Sequence, residues 1–299
     1  MNYRNKIVVT LFIVGVLFQL QATAQQQMEN SMSQYYQSRM LWNPGFTGAD
    51  GNKIYVLQNR SWVGFDGAPV MTALSGEVLF GANSAAGMHV ISDVTGILYR
   101  TFGIFNYAYR LKLKKDAQLR IGISFVLTSD RLSNNYIAQT NAASDPLLAN
   151  NINSAVQFDG NLGLVYTDKK FAIGASFFRL RDNLSVKSDG AADLAFLQMG
   201  GTYAIDLSDK MQLKPLAMLR VYRITESVAD LGMQLESHKL LHAMLLYQTT
   251  GNIRAGAGLW LNKSIIANFF YNTNTKEASS SSQQYELGIG FHLKGKKQE

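Results

Sequence analysis

Apolar and polar residues take turns along most of this chain. Leu119, Ile121, Ile123, Phe125 and Leu127 are apolar, with Arg120, Gly122 and Ser124 between them. Phe171, Ile173, Ala175 and Phe177 alternate with Ala172, Gly174 and Ser176, and Tyr285, Leu287, Ile289, Phe291 and Leu293 alternate with Glu286, Gly288, Gly290 and His292. The same two-residue period recurs at 158–167, 229–236 and 253–262. Successive side chains of a strand point to opposite faces, so this period predicts β-strands. Fourteen strands are expected, the first over Ile54–Phe65, the eighth over Leu194–Leu207, the ninth over Met211–Arg223 and the last over Gln284–Leu293. Pro215, inside the ninth, cannot donate to a ladder and must sit near a rim or at a bulge.

The connections alternate as well. Tight turns are expected near Asn83, Asp116, Asp168, Asp209, His238 and Asn262, whereas Asp130–Ser154, Leu180–Asp193 and Thr273–Gln283 are long and polar. Short turns on one rim, long loops on the other and an even strand count predict an all-β protein, a transmembrane antiparallel β-barrel of the outer-membrane kind. Such a barrel closes, because an open edge in lipid leaves backbone groups unpaired. A soluble β-sandwich would carry a strongly charged outer face. Here the polar face is mostly Gly, Ser, Asn and single charges, which suits a crowded or wet lumen.

Two segments precede the strands. Arg4 and Lys6, the apolar run Ile7–Leu20 and Ala22-Thr23-Ala24 read as a signal peptide over residues 1–24, cleaved before Gln25. Residues 25–53 form a lead-in that is polar at first and then aromatic, with Tyr35, Tyr36, Leu41, Trp42 and Phe46. That stretch is too apolar for a free tail, and a plug in the lumen or at its periplasmic mouth is expected. The barrel itself takes residues 54–299.

Composition narrows the function. The chain is 47% hydrophobic and 16% charged, against about 25% charged in average soluble proteins. It has no cysteine, which removes disulfides and thiolate chemistry. Its formal charge is +7, but the lysines and arginines are scattered rather than clustered with aromatics, so no nucleic-acid partner is expected. His238 and His242 are four apart across a turn and a strand, too far to share a metal. His89 and His292 read as lumenal or rim residues, and Asp66, Asp93, Asp159 and Asp230 are isolated carboxylates. No catalytic, cofactor or metal site is expected, and no enzyme activity.

The most specific wording lies between Ser33 and Pro69. Ser33-Gln34-Tyr35, Asn43-Pro44 with Gly48, and Arg60-x-Trp62-Val63-Gly64-Phe65-Asp66-Gly67-Ala68-Pro69 stand out. Farther along come Val90-Ile91-Ser92-Asp93 with Gly96, Tyr107-Ala108-Tyr109-Arg110-Leu111, and Tyr285-Glu286-Leu287 with Phe291. Together these resemble the PorP/SprF family of the type IX secretion system. Ser61 stands where that family usually has Gln, and the chain runs on as Lys294–Glu299 instead of ending on an aromatic.

The resemblance implies a non-enzymatic outer-membrane component that supports secretion or surface attachment of cargo proteins such as gliding adhesins. Its implied partners are outer-membrane lipid, periplasmic and outer-membrane secretion subunits, and a secreted cargo protein. A passive channel or small-solute transporter is the alternative. Asn43, Pro44, Gly48, Arg60, Trp62, Gly64, Asp66, Gly67 and Pro69 form the candidate structural or docking motif. Within it, Arg60 and Trp62 share one face of the first strand, while Tyr55 and Leu57 on the other look like the better lipid surface. Arg60 is therefore expected to point into the lumen with Trp62 beside it, either in ordinary packing with neighbouring strands or as a platform for the aromatic lead-in.

Overall fold

The computed structural model describes residues 35–62, 64–114, 116–133, 156–181, 195–222, 226–237, 240–275 and 283–293. The expected signal peptide, the first residues of the lead-in, most of the three long connections, His238 and the C-terminal run from Lys294 lie outside the described residues.

Fourteen antiparallel strands form one closed sheet. They are β1 (Asn52–Ser61), β2 (Val70–Phe80), β3 (Ser84–Thr95), β4 (Leu98–Lys112), β5 (Gln118–Leu132), β6 (Gln157–Thr167) and β7 (Phe171–Phe178). Then follow β8, in two segments (Phe196–Tyr203 and Ile205–Ser208), β9 (Met211–Tyr222), β10 (Val228–Ser237), β11 (Leu241–Gln248), β12 (Asn252–Trp260), β13 (Ile265–Asn274) and β14 (Gln284–Leu293). Each strand pairs with its neighbours in sequence, and β1 pairs with β14, from Asn52 opposite Leu293 to Ser61 opposite Gln284. That pairing removes both free edges, as a wall in lipid requires.

The alternation read from the sequence becomes the two faces of the wall. Ile121, Ile123 and Phe125 lie on the exposed outer face, as do Leu162, Leu164, Ile173, Leu231, Met233, Leu287 and Ile289. Inward residues are buried and often polar, among them Asn59, His89, Asn106, Arg120, Ser124, Asn161, Gln198, Arg220, Asp230 and Glu286.

Two details of the wall depart from simple periodicity. β8 breaks at Ala204, and its ladder with β9 runs from Leu216 opposite Thr202 and resumes with Leu213 opposite Ile205. Pro215 lies in that gap, where its missing N–H leaves no ladder bond to be lost. The first strand stops at Ser61, not Phe65, because Trp62 takes a left-handed backbone with φ 52°.

The orientation of β1 is the opposite of the expected one. Lys53, Tyr55, Leu57, Asn59 and Ser61 are buried inward, and Ile54, Val56, Gln58 and Arg60 face out. The more aromatic face of β1, expected to meet lipid, turns inward because this lumen has an apolar wall of its own. Tyr55 and Leu57 pack there with Met71, Ala73, Ile91 and Phe102. Arg60 is one residue from the end of its strand. An arginine near the interface costs about 0–1 kcal/mol, against about 2–4 kcal/mol at the midplane.

Candidate functional site

Residues 35–51 fold back inside the barrel as a plug. Two single-turn 3-10 helices, Arg39–Leu41 and Pro44–Phe46, fold it into a compact knot. Asn43 caps the second helix by accepting from the Gly45 N–H at 2.8 Å, and Pro44 occupies its first position. Proline there gives up only an N–H that a helix start leaves unpaired anyway. Thr47 Oγ1 donates to the Pro44 carbonyl at 2.8 Å and helps to close the turn.

The plug meets the wall on several sides. Asn43 Nδ2 donates to two strand carbonyls, Leu164 at 3.3 Å in β6 and Ala175 at 3.1 Å in β7. Ser176 Oγ and Gln198 Nε2 both donate to the Trp42 carbonyl. Tyr36 Oη donates to the Lys214 carbonyl at 2.6 Å, across the lumen in β9. Trp42, Phe46 and Tyr35 are buried with Val165, Ala172, Leu216, Met218 and Leu246 of the wall. Each such aromatic contributes about 1.5–3 kcal/mol on full burial, which opposes the entropy cost of ordering the segment.

Glycines make the room. Gly122 and Gly163 are direct partners across β5 and β6, and both face inward. A Cβ on Gly122 would lie 2.2 Å from the Pro44 carbonyl carbon, and one on Gly163 would lie 2.1 Å from Asn43 Oδ1. The Asn43-Pro44-Gly45 turn thus sits in a notch that any other residue would fill.

A charge network, buried at Lys53 and Glu77 and half-buried at Arg39 and Asp50, anchors the exit of the plug into β1. Arg39 pairs with Asp50, and Lys53 reaches Asp50 at 3.2 Å and Glu77 at 3.1 Å. Glu77 also accepts from the Gly48 N–H at 2.6 Å, while Arg120 donates to the Thr47 carbonyl at 3.2 Å. Burial raises the Asp50 carboxyl, but the Arg39 guanidinium and the Lys53 ammonium outweigh it and hold the group well below the usual carboxylate range. The guanidinium of Arg39 also lies 4.7 Å from the centre of the Phe46 ring. A second network joins Tyr35 Oη to Asp230 at 3.4 Å, with Arg220 and Gln248 on the same carboxylate.

The structure splits the candidate motif in two. Asn43, Pro44 and Gly48 are together in the plug, Gly48 with φ 70° and its missing Cβ 2.4 Å from Ala85. Arg60, Trp62, Gly64, Asp66, Gly67 and Pro69 are at the opposite, long-loop rim. There the Trp62 N–H donates to the Gln283 carbonyl at 2.9 Å, the Ser61 N–H to the Pro69 carbonyl at 3.0 Å, and the Gly96 N–H to the Gly67 carbonyl at 2.9 Å. Gly64 and Gly67 supply the positive φ angles of this hairpin loop, and Asp66 is exposed at its tip. Trp62 is therefore not the platform for the lead-in: it lies in that rim loop, five residues or roughly 16 Å along β1 from Leu57, which borders the space above the plug. The residues that do hold the plug, Gly122, Gly163, Glu77, Ser176 and Gln198, were not singled out in the sequence. The readable signal was the Gly122–Gly163 pair, two glycines at one height on the polar face of successive strands.

Two spaces flank the plug. On its long-loop side is a cavity of about 140 Å³ between Trp42, Met40 and the wall. On its short-turn side is an open vestibule of about 1060 Å³, bordered by Tyr36, Lys53, Lys170, Lys214, Glu236 and Lys263. Among the described residues no group of three or more His, Cys, Asp and Glu could hold a metal.

A closed fourteen-strand wall, apolar outside and polar inside, defines an outer-membrane β-barrel. Solved barrels are similar to this one, and the first shares its fold. The CymD monoaromatic hydrocarbon channel superposes with a TM-score of 0.51 at 12% identity, over 86% of this chain and 93% of its own. The Acinetobacter baumannii outer-membrane protein Omp33 gives 0.49 at 7% identity, over 81% and 98%, and the P. putida toluene transporter TodX gives 0.45 at 12%, over 83% and 90%. No curated relative matches the chain. The chain belongs to the PorP/SprF family of type IX secretion system membrane proteins, whose model matches residues 24–291. It is a secretion-system component of the outer membrane.

Proposed function

We propose that this protein is a non-enzymatic, plugged scaffold barrel that supports secretion or surface attachment of a cargo protein, of the gliding-adhesin kind, through the type IX system. The observation that carries the reading is the plug. A segment bonded to strand backbones on β6 and β7 and to side chains on β2, β5 and β8 occupies the lumen that a passive channel would keep open. That favours a scaffold over the small-solute channel. Outer-membrane lipid covers the wall. The periplasmic subunits of the system would meet the short-turn vestibule, where Lys53, Lys170, Lys214 and Lys263 border a space open to a peptide segment. The cargo would meet the long-loop rim.

Deletion of the gene tests this reading. Loss of one surface-displayed cargo, with small-solute permeability unchanged and display restored by the wild-type gene, is the expected result. Normal cargo display together with a fall in solute uptake would replace the scaffold reading with the channel.

A further inference from the structure

The short-turn end of the barrel has a charge character of its own. Every lysine among the described residues lies in that half of the wall or on its turns, whereas Arg60, Arg100, Arg131, Arg179 and Arg181 are at the long-loop end. The vestibule concentrates the excess. Arg39 and five lysines, Lys53, Lys169, Lys170, Lys214 and Lys263, are in its lining.

Three carboxylates share that lining, and each is already engaged. Asp50 holds Arg39 and Lys53, and Glu236 holds Lys214. Asp168 accepts from the backbone N–H groups of Lys170 at 2.7 Å and Phe171 at 3.0 Å. Lys169 pairs with Asp116, which is not in the lining, at 3.1 Å. Lys170 and Lys263 are exposed and have no carboxylate of their own among the described residues. The β6–β7 and β12–β13 turns that carry them stand nearly opposite one another in the ring of strands. Two uncompensated ammonium groups thus flank the mouth.

Size and lining narrow the occupant. The vestibule, at about 1060 Å³, is about seven times the cavity that holds one benzene ring, so it has room for several side chains. The wall separates it from the lipid headgroups around the barrel. One corner is apolar, formed by Leu240, Trp260 and Leu261, with the Trp260 N–H donating to the Leu240 carbonyl at 2.9 Å. The chain's own outer segments are poor in acid: residues 25–34 carry only Glu29, and residues 294–299 carry three lysines and Glu299.

We propose that the vestibule seats an acidic peptide segment of a periplasmic partner protein, several residues long. Its carboxylates would lie between Lys170 and Lys263, and an apolar side chain against Leu240 and Trp260. A cleft lined by one sign of charge, with low-dielectric walls, focuses its field and draws such a segment in. The seated segment would rest on Tyr36 and Arg39, and so on the plug. The inference rests on the reading that periplasmic subunits meet this end, and adds the chemistry of the segment they offer.

Fluorescence anisotropy on the full chain in nanodiscs of zwitterionic lipid tests it. The probes are a short dye-labelled peptide of glutamates around a single leucine and the same peptide with Gln for Glu, with empty nanodiscs as the blank. The expected result is saturable binding of the Glu peptide above the blank, about tenfold tighter than the Gln peptide and weaker as salt rises. Lys170→Glu with Lys263→Glu reverses the two charges at the mouth and should weaken the Glu peptide about tenfold. Lys114→Glu with Lys210→Glu makes the same change of net charge at exposed turn positions outside the lining and should leave binding unchanged. All four lysines are exposed, so both variants should stay heat-modifiable. Equal binding of the two peptides, an equal loss in both double variants, or binding of soluble peptidoglycan fragments in place of the Glu peptide would overturn the proposal. The assay needs no cargo. Lost cargo display after gene deletion, without peptide binding, would therefore overturn this inference alone, and peptide binding with normal display would overturn the scaffold reading alone.

Discussion

Gly122 of β5 and Pro44 of the plug approach so closely that a methyl group on the glycine would stand 2.2 Å from the proline carbonyl carbon. The wall and the lead-in are therefore shaped to one another, and a single added carbon tests the fit. Gly122→Ala should displace the Asn43-Pro44-Gly45 turn at a cost of about 1–3 kcal/mol, the usual range for overpacking. The strands do not need the glycine, so the barrel should stay heat-modifiable on gels. Limited proteolysis should then cut the lead-in several-fold faster than in the wild type. Unchanged cleavage would mean that the turn is not seated in the notch.

Asn43 gives a complementary test by subtraction. Its side chain accepts from the Gly45 N–H and donates to the Leu164 and Ala175 carbonyls. Asn43→Ala removes the cap and both cross-links, with an expected loss of about 1–2 kcal/mol in docking of the plug. Hydrogen exchange over residues 35–51 should quicken, while exchange in β6 and β7 stays slow. Equal quickening of plug and strands would show that they do not open separately.

Trp62 should behave differently. It is at the far rim, held through its N–H to Gln283. Trp62→Ala is expected to leave cleavage of the lead-in unchanged and to make the 62–69 loop more accessible to protease. A released lead-in in that variant would place the tryptophan in contact with the plug after all.

The alternation in the sequence carried most of the wall. The outward sets on β5, β6, β7, β10 and β14 are those that the period-two reading grouped together. The first strand was misread because both of its faces are apolar in part, and hydrophobicity alone does not separate a lipid face from a lumen filled by a plug. Tyr55 and Leu57 are apolar because they face other apolar lumen residues. The aromatic lead-in was legible as something that must pack. Where it packs was not, because the wall's contribution consists of absent side chains at Gly122 and Gly163 and of backbone carbonyls at Leu164 and Ala175, which alternation does not reveal. The motif read as one unit proved to be two, since a β-strand carries its ends to opposite rims.

Acid should loosen the exit of the plug. The Asp50 carboxyl is held below its ordinary value by Arg39 and Lys53. A depressed carboxylate contributes stability that is complete above its unfolded pKa of about 3.9 and is lost as pH falls toward the folded value. Pepsin digestion across the acid range should show the wild-type lead-in protected above about pH 4 and increasingly cut below it. The Asp50→Asn variant should lack that step. A wild type with no step would remove Asp50 from the anchoring role.

The lodging of the lead-in inside the barrel is open to one direct measurement. The chain has no cysteine, so an introduced pair is unique. A Cβ at Gly45 would lie 2.9 Å from Val165 Cγ2, which brings the two Cβ atoms into disulfide range. Gly45→Cys with Val165→Cys, exported through the oxidising periplasm, should yield a protein that takes up no bulky maleimide until it is reduced and two per chain afterwards. Two free thiols before reduction, in a barrel that is otherwise folded, would contradict a plug in the lumen.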